Sequence, residues 1–279
     1  MVAVSGGKDS AASLGTMKAL VDRGDLDVKL LPVHVDVGIK GFSEAGKESA
    51  VKLSRYLGLD IVVIDVREAL GLTVEELAKK VRRPICSVCG LIKRYFLNLT
   101  ALEVGADGVL LGHHLDDLFA YALKSVLIGD GKQLSKLGPK TESSGVAVGR
   151  GRPLYLITER EALAYAIIRR LPFLKIRCPH VRRESLETQI KAFALTLDEK
   201  YPGLRISYMK RLANAALESE DRITVASPQR CKYCGMPSSG EVCSVCSLTA
   251  KALGTPKGPD AVKYVRNLLA SKGLRETRE

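Results

Sequence analysis

Seven cysteines, in a chain of 279 residues, fall into two groups of different spacing. Cys231-x-x-Cys234 and Cys243-x-x-Cys246 are separated by eight residues, and Gly235 follows the second cysteine directly. Paired CxxC motifs this close offer four thiolates to one tetrahedral zinc ion. The segment is too short to hold a core, so the metal would supply its folding energy. Disulfides are the competing reading; the odd cysteine count and the lack of a basic-then-apolar leader argue against them. The other three are Cys86-x-x-Cys89 and Cys178, the last followed by Pro179. They suit a redox pair plus a buried thiol, a cysteine that carries a persulfide, or three ligands to a cubane iron–sulfur cluster with one iron left open.

Two further constellations concern anions. Ser5-Gly6-Gly7-Lys8-Asp9-Ser10 lies between an apolar strand, Met1 to Val4, and a helix pattern from about Ala11 to Arg23. Its glycines let the backbone turn and approach a ligand, and the free N–H groups at the helix start favour anionic oxygens. Lys8 and the two serines add donors, so phosphate binding is the expected role. The spacing is not that of the GxxxxGK[ST] loop. Gly112-His113-His114-Leu115-Asp116-Asp117 follows a second strand and so falls at the same sheet edge. Two adjacent carboxylates there face different ways: one can cap the helix while the other reaches Mg²⁺ or a ligand's phosphates. Val35 and Asp36 end the strand Val28 to Asp36, where such sheets contact nucleotides. Asp36 is equally readable as a strand-end turn residue.

The elements that must position these groups alternate. Strands are expected at 1–4, 28–36, 60–66 and 108–111. Helices follow at about 11–23, after Ser43 as a cap, after the capping box Thr73/Glu76, at 88–104 and at 115–128. This predicts an α/β fold, a parallel sheet with helices on both faces, plus a small C-terminal four-cysteine zinc ribbon. Residues 129–153, rich in Gly, Lys and Ser, read as a long flexible loop. Thr158 with Glu161 opens another helix, and 184–218 is helical with a break at Pro202-Gly203. A final amphipathic helix runs from about Asp260 to Lys272. The expected domains are 1–183, 184–226 and 227–279.

Composition bounds the rest. At 46% hydrophobic and 27% charged the chain is globular, and no run approaches the roughly 20 apolar residues of a membrane helix. A cytoplasmic protein with no membrane partner is expected. Asn and Gln number three each, a depletion found in heat-adapted proteins. The net charge is +12. Lys79, Lys80, Arg82, Arg83, Lys93 and Arg94, with Arg169, Arg170, Lys175, Arg177, Arg182 and Arg183, lie in two windows free of acids that together hold 12 positive charges. The excess therefore sits around Cys86, Cys89 and Cys178, which suggests a polyanionic partner.

SGGKDS is the signature of PP-loop ATP pyrophosphatases, which implies splitting of ATP between its α and β phosphates. SGGKDS, then Cys86-Ser87-Val88-Cys89-Gly90-Leu91-Ile92-Lys93-Arg94, GHHLDD and Cys178-Pro179 together resemble the PP-loop tRNA 2-thiolation enzymes of the TtcA/TtuA type over nearly the whole chain. The resemblance implies a [4Fe–4S] cluster on Cys86, Cys89 and Cys178, whose open iron carries sulfur. It implies Lys93 and Asp117 as catalytic or ATP-contacting residues, with Asp116 and Asp9 beside them. ATP would meet Ser5, Gly6, Gly7, Lys8, Asp9, Ser10, Val35, Asp36, Gly112 and His113. Cys231, Cys234, Cys243 and Cys246 would hold Zn²⁺. The C-terminal ribbon is similar to that of the subgroup acting on the T-loop uridine, position 54 of tRNA. By the same resemblance the partners are tRNA and a ubiquitin-like carrier with a C-terminal thiocarboxylate; a homodimer is one assembly open to the chain. One departure stands: the family carries a further zinc ribbon before SGGKDS, and this chain begins too late to contain it. A non-thiolating PP-loop enzyme and a zinc-ribbon nucleic-acid module are the competing classes.

Overall fold

The structure, a computed structural model, describes residues 1–134, 136–145, 147–181, 184–220 and 229–274. The elements run β1 (Val2–Ala3), α1 (Lys8–Asp22), β2 (Pro32–Asp36), α2 (Phe42–Tyr56), β3 (Val62–Asp65), α3 (Val66–Leu70), α4 (Val74–Val81), α5 (Ile85–Glu103), β4 (Val109–Leu110) and α6 (Leu115–Leu127). After these come α7 (Gly131–Leu134), β5 (Lys140–Thr141), β6 (Arg150–Gly151), α8 (Glu159–Ile168), α9 (Leu186–Lys200), α10 (Leu204–Glu220), β7 (Gln229–Arg230), β8 (Pro237–Ser238), α11 (Ser244–Leu253) and α12 (Gly258–Ser271).

The main sheet has the order β3-β2-β1-β4-β6-β5. Its first five strands are parallel and only β5 is antiparallel. Side-chain alternation along the strands divides the core. Val2 and Val4 pack with Ala11, Leu14, Ala50, Leu53, Ala166 and Leu171, so α1, α2 and α8 cover one face. Val33, Val35 and Val109 turn the other way and join Val74, Leu77, Ile92, Phe96 and Leu99 of α4 and α5. A third cluster joins α6 to α9 and α10 through Leu115, Leu118, Ala194 and Met209.

Both capping boxes form: Thr73 with Glu76 and Thr158 with Glu161 each exchange side-chain and backbone bonds. The break at Pro202-Gly203 separates α9 from α10. Three expectations are corrected. Residues 129–153 are not simply a loop; they contribute β5 and β6 to the sheet, because pairing with β4 rather than local propensity makes these two-residue strands. Ser43 is not a helix cap: Gly41 holds that position, and Ser43 Oγ accepts the Ile39 amide from within the helix. The helix α11, absent from the sequence reading, follows the third ribbon cysteine, with Cys243 at its N-cap.

The four-cysteine unit does not stand apart. Cys231, Met236, Cys243, Val245, Cys246, Leu248, Ala261, Val265 and Leu269 belong to the same cluster as α4 and α5. The expected domain boundaries meet residues outside those described. By length and apolarity α5 alone among the described helices could cross a membrane. Here Val88, Ile92, Tyr95, Phe96, Leu99 and Ala101 are buried, and it forms the central helix of the fold.

Candidate active site

A cleft of about 720 Å³ opens at the carboxyl edge of the sheet, on the face covered by α5. Ala3, Val33, Val35, Val109 and Leu111 form its floor, and Gly90, Lys93, Arg94 and Leu97 of α5 one wall. Tyr121, Lys124, Ser125 and Ile128 line it from the α6 side. Ser5, Asp9, Ser10, Gly112 and His113 stand at its rim.

The SGGKDS turn is built to present backbone amides. Ser10 Oγ accepts the Ser5 amide at 3.2 Å and donates to the Gly7 carbonyl at 2.9 Å, which closes the loop on itself. Gly7 is the N-cap of α1 and no side chain caps that helix, so its first N–H groups stay available for an anion. Gly6 has φ +87°, and a Cβ there would lie 2.4 Å from the Gly46 carbonyl oxygen. A Cβ on Gly112 would fall 3.0 Å from the Asp9 and Ser10 backbone. These two glycines let the GHHLDD turn and α2 close around the loop.

Behind the loop lies a charged network. Lys8 Nζ pairs with Asp9 at 2.8 Å and with Glu159 at 2.9 Å. Burial lowers the Lys8 pKa, but its two carboxylate partners outweigh this and the net shift is upward. His114 is buried, with Nε2 3.4 Å from Asp117, 3.9 Å from Asp9 and 3.9 Å from Glu159. Lys191 of α9 pairs with Asp117, and against burial its pKa is raised, chiefly by that carboxylate.

The two adjacent aspartates do different work. Asp116 accepts the Glu159 amide at 2.6 Å and pairs with buried Arg205 of α10. Burial disfavours its charge, yet His114, the Glu159 amide and Arg205 hold its pKa well below the usual carboxylate range. It therefore welds α6, α8 and α10 together and does not line the cleft. Asp117 pairs with Lys191 and lies 3.4 Å from His114 Nε2, the ring nitrogen that also approaches Asp9 of the phosphate loop at 3.9 Å. Both aspartates offer the hard oxygen ligands that Mg²⁺ takes alongside a substrate's phosphates. Asp36 lies off the cleft: it accepts the Gly38 amide at 3.0 Å and pairs with Lys47 at 3.4 Å, the strand-end turn role. Val35 does line the cleft, as does His113, whose pKa burial lowers.

Cys86 and Cys89 occupy the first turns of α5, and no acidic residue lies in that first turn. Cys178 arrives on the segment after α8. Leu174 N–H to Gly6 O, 2.8 Å, and His180 Nε2 to Glu75, 2.6 Å, dock that segment. The Cys86 thiol donates to the His180 carbonyl at 3.3 Å. Burial pushes the Cys89 thiol up, the charge of Lys93 pulls it down, and Cys178 and Cys86 lie near enough to push it up again, so the net shift is upward. Among the described residues only Cys231, Cys234, Cys243 and Cys246 have all ligand atoms within 4.8 Å of one another, the crowding a single ion needs. Cys86, Cys89 and Cys178 are not so crowded. In the compact set Cys234 and Cys243 Sγ are 3.6 Å apart, and the crowded neighbours push Cys243 up to about 12. A divalent cation would relieve that repulsion.

Sequence reading missed Glu159, Lys191 and Arg205. They bond to Asp116 or Asp117 from 43 to 89 positions away, and no local pattern marks them. It also missed Gly258, whose absent side chain leaves room for Cys234 and Cys246. Arg182 and Arg183 of the basic windows lie outside the described residues, whereas Lys79, Lys80, Arg82 and Arg83 are exposed.

A family model described as a PP-loop domain matches residues 1–175. The chain is 35% identical over 246 residues to a tRNA-5-methyluridine(54) 2-sulfurtransferase of Pyrococcus horikoshii, covering 88% of this chain and 76% of the relative. A protein of the same name from Thermus thermophilus is 32% identical, covering 89% and 75%. The solved structure of the U34-tRNA thiolase NcsA from Methanococcus maripaludis with its [4Fe–4S] cluster superposes with a TM-score of 0.72 at 29% identity, over 90% of this chain and 80% of that one. An ATP-pyrophosphatase loop facing a cysteine trio thus agrees with likeness over most of the chain, and the protein belongs to the PP-loop tRNA 2-thiolation family.

Proposed function

We propose that the protein is an ATP-dependent tRNA 2-sulfurtransferase whose target is the uridine at position 54. The observation that carries it is one cleft lined by both the phosphate loop and Lys93, whose charge lies near enough to Cys89 of the cysteine trio to lower its pKa. The uracil 2-oxygen attacks the α-phosphorus of ATP and pyrophosphate leaves. The loop amides and Lys8 take the departing phosphates, and Lys93 offsets charge that develops in adenylation. Asp9 and Asp117 would supply carboxylate ligands to a Mg²⁺ at the phosphate side. A [4Fe–4S] cluster held by Cys86, Cys89 and Cys178 would supply an open iron for the incoming sulfur. Sulfur then bonds to the ring carbon and AMP leaves with the original oxygen. The four C-terminal cysteines would hold Zn²⁺, which would fix α11 and α12 against α4 and α5, the helices that carry and brace the trio.

The relatives named for position 54 support that target; the wobble-uridine thiolase with the same fold supports the alternative at position 34. Mass spectrometry of nucleosides from tRNA incubated anaerobically with protein, ATP and sulfide, mapped by position, decides between them. 2-Thiouridine at position 54 is expected. Thiolation at the wobble position alone overturns the choice, and the same product from Cys86→Ser overturns the role of the trio. A ubiquitin-like thiocarboxylate carrier as donor rests on family likeness and is tested by substituting it for sulfide.

A further inference from the structure

The cleft has a second end that the phosphate loop does not use. Arg150 on β6 pairs in register with Val109, so both side chains turn to the cleft face. β6 lies two strands from β1, about 10 Å across the sheet at the usual strand spacing. Opposite it on α5, Arg94 folds back along its own helix. One guanidinium nitrogen lies 3.2 Å from where a Cβ of Gly90 would be, so that glycine makes the space, one residue from Cys89. Arg94 and Arg150 are close enough for the charge of one to depress the pKa of the other, although burial is the larger cause. Among the described residues neither has a carboxylate partner. Asp130, one of the two acids in the lining, accepts the Gln133 amide. Arg152 differs, because it donates to the Gly138 and Lys136 carbonyls.

Two uncompensated guanidinium groups in a concavity form an anion receptor. The triphosphate belongs to the loop at β1, so this anion comes with the other substrate. Tyr121 and His113, edge to face at 6.4 Å, line the same cleft and offer aromatic surface to a base. On the tRNA reading above, we propose that Arg94 and Arg150 grip a phosphodiester flanking the target uridine and hold the nucleotide out of its stack, with its base directed at Lys93 and the cysteine trio.

The test is binding, read by fluorescence anisotropy on the T-arm stem-loop of tRNA. One form is unmodified; the other has a neutral methylphosphonate at the phosphates flanking the uridine. Arg150→Gln and Arg94→Gln should each weaken binding of the unmodified RNA about tenfold, the loss of a charge-assisted hydrogen bond. The methylphosphonate should weaken wild type similarly and cost the variants little more. ATP affinity should be unchanged in both variants. Arg94 is exposed, so Arg94→Gln decides the matter should Arg150→Gln fail to fold. Independent, additive losses from variant and methylphosphonate, or a fall in ATP affinity, would overturn the proposal. Wild-type thiolation is scored separately, so failure of the functional reading is distinct from failure of the arginine pair.

Discussion

Gly258 opens α12 directly over the four-sulfur site. A Cβ there would lie 2.3 Å from Cys246 Sγ, 2.8 Å from Cys234 Cβ and 3.1 Å from Cys234 Sγ. Its φ is not positive, so the constraint is space and not backbone conformation. Non-bonded carbon contacts settle near about 3.5–4.0 Å, so Gly258→Ala creates an overlap of over ~1 Å with a buried sulfur. Neither sulfur can retreat without leaving the metal set, so α12 must shift. Overpacking of that kind costs about 1–3 kcal/mol. Borne by the metal site alone, it weakens zinc roughly 5- to 150-fold, since ~1.4 kcal/mol is a factor of ten. Borne by folding, it lowers Tm by about 2–4 °C per kcal/mol. The assay is competition for zinc with a chromophoric chelator, run beside a thermal melt. Gly258→Ala with wild-type zinc affinity and wild-type Tm would refute the reasoning that this glycine is required by the metal site.

The two cysteine groups should separate in metal analysis after anaerobic reconstitution: Cys89→Ser loses iron and keeps zinc, while Cys243→Ser loses zinc first. Loss of both metals together from Cys89→Ser would count against two distinct sites. Asp116→Asn removes one of the two carboxylates, Asp116 and Asp198, that pair with buried Arg205 and should cost about 1.5–3 kcal/mol in denaturant unfolding. Because the folded pKa of Asp116 is depressed, its stabilisation is complete above the ordinary carboxylate value and fades as pH falls below it. The variant should therefore show a weaker loss of Tm on acidification than wild type; parallel curves would refute the assignment. Arg82→Gln with Arg83→Gln should weaken tRNA binding and reduce its salt slope by about 0.7–0.9 for each phosphate no longer neutralised, with ATP affinity unchanged. An unaltered slope would place the tRNA elsewhere.

Legibility followed the range of the interactions. SGGKDS, the two capping boxes and the break at Pro202-Gly203 depend on neighbours within a few residues, and each stands in the structure as read. The paired CxxC motifs were legible for the same reason, since a metal knuckle is a local geometry. The faces of the sheet were less so. Val2 and Val4 belong to one core and Val33 and Val35 to another, a division set by alternation plus pairing. Residues 129–153 have no strand propensity to read, yet register with β4 draws Arg150 into the sheet. The division of labour between Asp116 and Asp117 was invisible, because it is made by Arg205 and Lys191 from helices far along the chain.

By itself, then, the sequence determined the chemistry on offer: a phosphate-binding turn, three thiols suited to a polynuclear centre and four suited to a single ion. Only the tertiary structure decided which of these groups share a cleft and which cations each carboxylate is paired with. A motif's donors and spacing are written in adjacent residues. Their orientation and charge balance depend on packing between distant elements, and burial fixes these only once the chain has folded.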